Sequence, residues 1–286
     1  MSGPARGTLP GGRLHLQHGP IDLVVEAWGE RHEVAAAYEQ AWQRFQDVLE
    51  TLVAELKTLR APLGAAYPLA HGPVARRMVA AVWPHRDVFI TPMAAVAGSV
   101  ADEMLAALRA GRRLDKAYVN DGGDIALHLA PQQRLDTGMV ADPRRPMLCG
   151  SVCVEANDPV RGIATSGWRG RSQSLGIADA VTVLAHSAAM ADAAATLVAN
   201  AVNAEHPAIR RLPARQLKED SDLGELPVTV AVGPLPPGVA EAALDSGLKA
   251  ALEMQERGLL HAAYLALGGA VRTTHENARL YRTAPR

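Results

Sequence analysis

The chain has 286 residues, 48% hydrophobic and 21% charged, with a formal net charge of -1. This is the composition of a globular protein able to bury one large core or two small ones; it carries no global basic field that would select nucleic acid or acidic membranes as partners. The longest apolar run is broken by Asp192 and Asn200 before it reaches membrane-spanning length, and the N-terminus lacks the apolar core of a secretory signal, so a cytoplasmic protein is expected.

Residues 1–12 are rich in Gly and Pro and read as a flexible leader. Two short strands follow, 14–17 and 21–27, with His18-Gly19-Pro20 as the turn between them. From Glu30 to Leu59, apolar residues recur in steps of three and four (Val34, Tyr38, Ala41, Phe45, Val48, Leu52, Leu56, Leu59), which predicts one long amphipathic helix. Its stripe serves core packing or, alternatively, a homodimer or partner interface. Pro62 ends it. Helices are expected at 73–82, closed by Pro84, and at 94–109. Residues 117–129, AYVNDGGDIALHL, read as strand, Gly-rich turn, strand, and 131–146 as a polar loop. Further strands are expected at 147–155, 162–165 and 178–185, followed by an alanine-rich helix that carries Asp192. A long polar connection (204–226), a strand (227–232), a helix (239–257) and a last strand (259–267) complete the body. The fold class is therefore α+β, a mixed or antiparallel sheet core with flanking helices, as a single domain over 13–271 with a polar tail at 272–286. Segments 97–108 (AGSVADEMLAAL) and 187–198 (SAAMADAAATLV) echo one another, which suggests two similar halves. Cys149 and Cys153 lack zinc-type spacing and read as small buried hydrophobes.

Three groups of residues could carry chemistry. Asn120-Asp121-Gly122-Gly123-Asp124 is a hairpin turn or a backbone cradle for a flat ligand or phosphate. Thr165-Ser166-Gly167, followed by Arg169 and Arg171, is an oxyanion-binding loop or a solvated one. Asp192 and Thr196 share one helical face in apolar surroundings, where a carboxylate needs a partner. A hard cation such as Mg²⁺ fits that pair, with phosphate oxygens and a backbone carbonyl completing the shell; helix-dipole stabilisation of Asp192 and back-bonding of Thr196 are the structural alternatives. His15, His18, His71 and His128 show no ligand spacing, and His186, at a strand–helix junction, reads as structural.

The segments Val119-Asn120-Asp121-Gly122-Gly123-Asp124, Ala164-Thr165-Ser166-Gly167 and Val181-Thr182-Val183 leading to Ala191-Asp192-Ala193 and Thr196 resemble, in order, the V-N-x-G-G-D, A-T-S-G and T-V…A-D-A-x-x-T motifs of ApbE-like proteins. The opening RLHLQHGPIDLVVEA looks like a shorter, uncharacterised branch of that superfamily. The resemblance implies a binder of FAD or FMN with Mg²⁺ that transfers FMN to a threonine of an acceptor protein or cleaves the FAD pyrophosphate. It places the metal on Asp192, Thr196 and a carbonyl in the 95–98 segment, here Ala97, with Asp192 and Thr196 as the catalytic pair. It lays the nucleotide against Asn120, Asp121, Gly122, Gly123 and Asp124 and beside Thr165, Ser166, Gly167, Arg169 and Arg171. The family's transferases carry a histidine between A-T-S-G and the T-V strand, whereas this chain has WRGRSQSLGIADA. Their upstream D-L-G-G-x-A-K-G pattern is replaced by PMAAVAGSVAD. Two other functions are compatible with these departures: an enzyme using the pocket for a different heterocycle or phosphorylated metabolite, and a non-enzymatic flavin carrier.

Overall fold

A computed structural model describes residues 3–140, 148–275 and 282–283. In chain order it forms β1 (Ala5–Leu9), β2 (Arg13–His18), β3 (Ile21–Gly29), α1 (Arg31–Phe45), α2 (Val48–Ala54), α3 (Leu56–Leu59), α4 (Pro73–Val82), α5 (Val96–Arg109), β4 (Leu114–Asp121), β5 (Asp124–Leu129), β6 (Arg134–Val140), β7 (Leu148–Glu155), β8 (Gly162–Ser166), β9 (Ala180–Ala185), α6 (Ala188–Ala201), β10 (Ile209–Pro213), α7 (Ala214–Leu217), β11 (Pro227–Val232), α8 (Pro237–Glu256), β12 (Ala262–Leu267), β13 (Ala270–Thr273) and β14 (Arg282–Thr283). The class is α+β, and every strand pair with a defined register is antiparallel.

Several expectations change. The leader is structured from Ala5, because β1 pairs along its whole length with β2. The helix expected over 30–59 is three segments. The backbone leaves helical geometry at Asp47 (φ -119°, ψ 5°) and at Glu55 (φ -109°, ψ 6°). At the second break the Glu55 carboxylate turns away to accept the His71 and Gly72 N–H groups at 2.8 and 2.7 Å. The apolar stripe runs unbroken across both breaks, so periodicity could not reveal them. Strands β6 and β10 and helix α7 occupy stretches expected to be loop. Cys153 is half-buried rather than buried, and the Cys149 side chain lies outside the described residues.

Where one domain was expected, the chain divides into two compact units that interleave along the sequence: residues 1–135, 155–164 and 185–193, and residues 136–154, 165–184 and 194–286. In the first, β1-β2-β3-β4-β5 lie in order and β5 continues to the start of β8 through Ile125–Ile163 and Ala126–Gly162. Alternate residues of β2 (Leu14, Leu16), β3 (Leu23, Val25) and β4 (Ala117, Val119) are buried against Ala37, Ala41 and Phe45 of α1, Met78 and Val79 of α4, and Met104 and Leu108 of α5. This is the period-two pattern of a sheet covered on one face. The stripe of α1 is thus used in the unit's own core. In the second unit β12 lies between β9 and β13. All six residues of β9 and of β12 are buried, the mark of strands covered on both faces. Among the described residues no helix is long and apolar enough to cross a membrane.

Candidate functional site

In the first unit the β4–β5 hairpin turns through Gly122 and Gly123, both at positive φ (63° and 117°), between the paired residues Asp121 and Asp124. A two-residue turn with φ > 0 at both positions matches the twist of an antiparallel pair, and glycine adopts it at no steric cost. The Asn120 Oδ1 accepts the Gly123 N–H at 2.8 Å and fixes the turn. A Cβ on Gly123 would meet nothing within 4 Å, so that glycine answers to backbone conformation rather than to a close approach.

Asp121 is 4% exposed and acts electrostatically on Asp192. The Asp192 Oδ2 accepts the Gly98 N–H at 3.0 Å, and the Ala97 N–H also bonds this carboxylate. Burial is the main cause that pushes Asp192 up to about 7; the Gly98 N–H opposes it, and the Asp121 charge adds to it. As a residue Asp192 is half-buried. The α5 segment performs the reverse service. Asp102 Oδ1 and Oδ2 accept the Ala188 and Ala189 N–H groups at 3.0 and 2.9 Å. Burial also raises Asp102, against the pull of those N–H groups and of Arg77. Close approach permits both sets of bonds. A Cβ on Gly98 would overlap the Ala188 carbonyl, and one on Gly162 would overlap the Ser187 carbonyl. Ala97 presents its N–H to Asp192, a role the sequence reading did not give it.

In the second unit the Thr165 and Thr182 hydroxyls bond at 2.9 Å. Gly167 lies so close to the Asp179 carbonyl that a Cβ would stand 2.6 Å from it. Asp179 organises the rest of the loop. Its Oδ1 takes the Arg169 Nε at 2.7 Å and the Trp168 Nε1 at 3.2 Å, and its Oδ2 takes the Gly268 N–H at 2.8 Å. The Arg169 guanidinium also stacks 4.5 Å from the Trp168 ring centroid. Arg169 is thereby committed to its own loop, whereas Arg171 is exposed and Ser166 is half-buried. Sequence reasoning missed Asp179; an acid flanked by Ile177, Ala178 and Ala180 was the available signal. Thr196 belongs to this unit and is half-buried, one turn beyond Asp192 on the uninterrupted α6. Among the described residues no group of three or more His, Cys, Asp or Glu side chains gathers as a metal cage.

The chain can be set beside known proteins. It is 33% identical over 143 residues to a UPF0280 protein of Methanopyrus kandleri, covering 49% of this chain and 56% of that one. It is 36% identical over 138 residues to a UPF0280 protein of Methanothermobacter thermautotrophicus, covering 47% and 51%. The matched segment thus spans about half the length of these curated relatives. Among solved structures it resembles the ApbE protein of Thermotoga maritima (14% identity, TM-score 0.48, covering 94% of this chain and 96% of that one). It also resembles the flavin transferase ApbE of Vibrio cholerae (11%, TM-score 0.42, covering 96% and 98%). The model of the family described as AbpE bacteria matches residues 6–273. With that match running from β1 to the end of β13, the chain belongs to the AbpE bacteria family, within the ApbE-like superfamily.

Proposed function

We propose that this protein binds a flavin nucleotide, FAD or FMN, together with Mg²⁺, and cleaves FAD or transfers FMN to an acceptor protein. The observation that carries the reading is the setting of Asp192. A carboxylate pushed up to about 7 by burial and by the charge of Asp121 is costly to keep ionised alone, and a cation would reverse that cost. The donors to hand, the Asp192 carboxylate and the Thr196 hydroxyl one turn on, are hard oxygens that suit Mg²⁺ and leave most of its shell to phosphate oxygens and water. When bound, the ion would neutralise phosphate charge as it develops at phosphorus. The Gly98 and Ala97 N–H groups orient the carboxylate. The nucleotide would lie against the Asn120–Asp124 turn, which the Asn120 side chain fixes through the Gly123 N–H; the loop of Thr165, Ser166, Gly167, Arg169 and Arg171, with Arg169 held by Asp179, is a separate candidate contact.

A second reading draws on the same loop. Asp179 ties down Trp168 and Arg169 in the interval where the family's transferases carry a histidine. That favours a flavin-binding protein that retains its ligand without turning it over. Incubation of pure protein with FAD and Mg²⁺, followed by mass analysis for FMN and AMP and by equilibrium dialysis for retained flavin, separates the two. Release of FMN and AMP that Asp192→Ala abolishes supports the enzyme, and retained flavin without release supports the carrier. Neither binding nor release, with Asp192→Ala indistinguishable from the natural chain, overturns both.

A further inference from the structure

The first unit holds a cluster of positive groups that the flavin reading does not use. Arg109 is the last residue of α5, His128 lies near the end of β5, and Arg161 immediately precedes β8. Two cavities of about 670 and 390 Å³ share Arg109 and His128 in their walls. Arg31 and Arg113 border the larger and Arg161 the smaller. The Leu127 N–H bonds the Arg161 carbonyl at 3.0 Å, which holds Arg161 beside His128 along the chain of β5. The cluster sits at the Leu114–Leu129 end of the β4–β5 hairpin, opposite the Asn120–Gly123 turn.

Arginines outnumber acids on the walls of both cavities. Among the described residues neither Arg109 nor Arg161 pairs with a carboxylate. The Arg161 guanidinium donates only to the backbone carbonyls of Ala156, Asp158 and Val160, which anchor it without neutralising it. Arg109 is exposed as a residue, and partial desolvation of its guanidinium with the charge of Arg161 holds it below the usual arginine range. The His128 Nε2–H donates to the Leu114 carbonyl at 3.1 Å, and burial together with Arg109 and Arg161 holds the ring below the usual histidine range against that bond. A fold does not gain stability by collecting like charges around a cavity, so the arrangement calls for an anion. Of the acids nearby, Glu33 pairs with Arg112 and Glu103 with Arg44 and Arg77, while Asp102, held by two backbone N–H groups, is the one carboxylate among the residues that line the smaller cavity. Glu30 and Asp115 lie on the wall of the larger cavity. The C-terminal carbonyls of α5, which would repel an anion, are covered instead: the Gln40 amide donates to Ala107 and Ala110 at 3.0 and 3.1 Å.

We propose that Arg109, Arg161 and His128 form a binding site for the dianionic phosphate group of a small molecule, on residues other than those of the flavin reading. Two guanidinium charges match a phosphate dianion, and they would leave one charge unmatched against a single carboxylate.

The test is titration of the metal-free full chain, in EDTA, with inorganic phosphate and with pyrophosphate, followed by calorimetry and by the ring resonances of His128 in NMR. Acetate and chloride at equal ionic strength are the comparators. Saturable binding of one equivalent, movement of the His128 resonances, and weakening of at least fivefold in Arg109→Gln are expected. The exposed position of Arg109 makes that variant a mild one for the fold, and an unchanged melting temperature verifies it. A response no greater than that of acetate and chloride, unmoved His128 resonances in the natural chain, or less than fivefold weakening in Arg109→Gln overturns the proposal. None of these readouts involves flavin or Mg²⁺, so the outcome is independent of the proposed function.

Discussion

Asp102 and Asp192 cap each other's helices. Asp192 of α6 accepts the Gly98 N–H at the start of α5, and Asp102 of α5 accepts the Ala188 and Ala189 N–H groups at the start of α6. The two acids occupy the same place in the echoed segments 97–108 and 187–198, so the echo has a physical meaning at this point: each copy supplies the acceptor that the other's helix N-terminus lacks.

Removing one acceptor should cost more than removing its charge. Asp102→Ala leaves two buried N–H groups unsatisfied and should destabilise the fold by about 2 kcal/mol. Asp102→Asn keeps one amide oxygen, and because burial already raises Asp102 toward its neutral form, its loss should be clearly smaller. Urea unfolding of both variants measures the difference; equal losses would show that the negative charge, rather than the acceptor geometry, matters.

Gly98→Ala forces a methyl group into the Ala188 carbonyl, and backbone faces it, so the strain has no flexible side chain to absorb it. A loss of about 1–3 kcal/mol is expected. Gly238→Ala in the first turn of α8 meets nothing within 4 Å and should leave the midpoint nearly unchanged. Denaturation midpoints of the pair check the contrast.

The His128 shift sets a pH dependence. Its native pKa lies below the ordinary value of 6.5. As pH falls below 6.5 the unfolded chain takes up a proton that the native chain refuses, so stability declines until pH reaches the native pKa, and then levels off. Above 6.5 both states are neutral and the contribution vanishes. His128→Gln should flatten this part of the acid limb in unfolding curves recorded from pH 7 downward. An acid limb as steep as that of the natural chain would count against the shift.

Asp179 ties Trp168, Arg169 and Gly268 into one network. Asp179→Ala should free the loop, red-shift tryptophan emission as the Trp168 ring gains water, and weaken flavin binding at least tenfold if the loop positions the nucleotide. Emission spectra and flavin titration test this together; a changed spectrum with unaltered affinity would remove the loop from the binding site.

Mg²⁺ should raise the melting temperature of the natural chain in the presence of FAD by mass action and leave Asp192→Ala unmoved. Equal shifts in both, by differential scanning fluorimetry, would place the ion elsewhere.

Much of this was legible in the sequence wherever one local signal decided the outcome. The Asn120–Asp124 hairpin follows from consecutive glycines between apolar runs, and α4 from its bracketing prolines, Pro73 and Pro84. The sequence was opaque where distant groups decide. Nothing near Asp47 or Glu55 announces a helix break, because the acceptor at Glu55 is used by N–H groups 16 and 17 residues on. Strand β10 is polar and half-buried, so alternation never marks it. Asp192 stood out as an acid among alanines, yet its bond to Gly98 spans 94 residues. The gathering of Arg109, His128 and Arg161 has no local pattern at all.

The overlap of Gly98 with the Ala188 carbonyl carries a consequence for how this sequence can vary. Each helix start is measured against the other to within the size of a methyl group. Inserting or deleting one residue in the first turn of either helix would rotate its aspartate by about 100° and strand both sets of N–H groups at once. The stretches around Gly98 and Ala188 are therefore bound to change length only in concert, so their spacing to Asp102 and Asp192 should be the most length-invariant part of the protein.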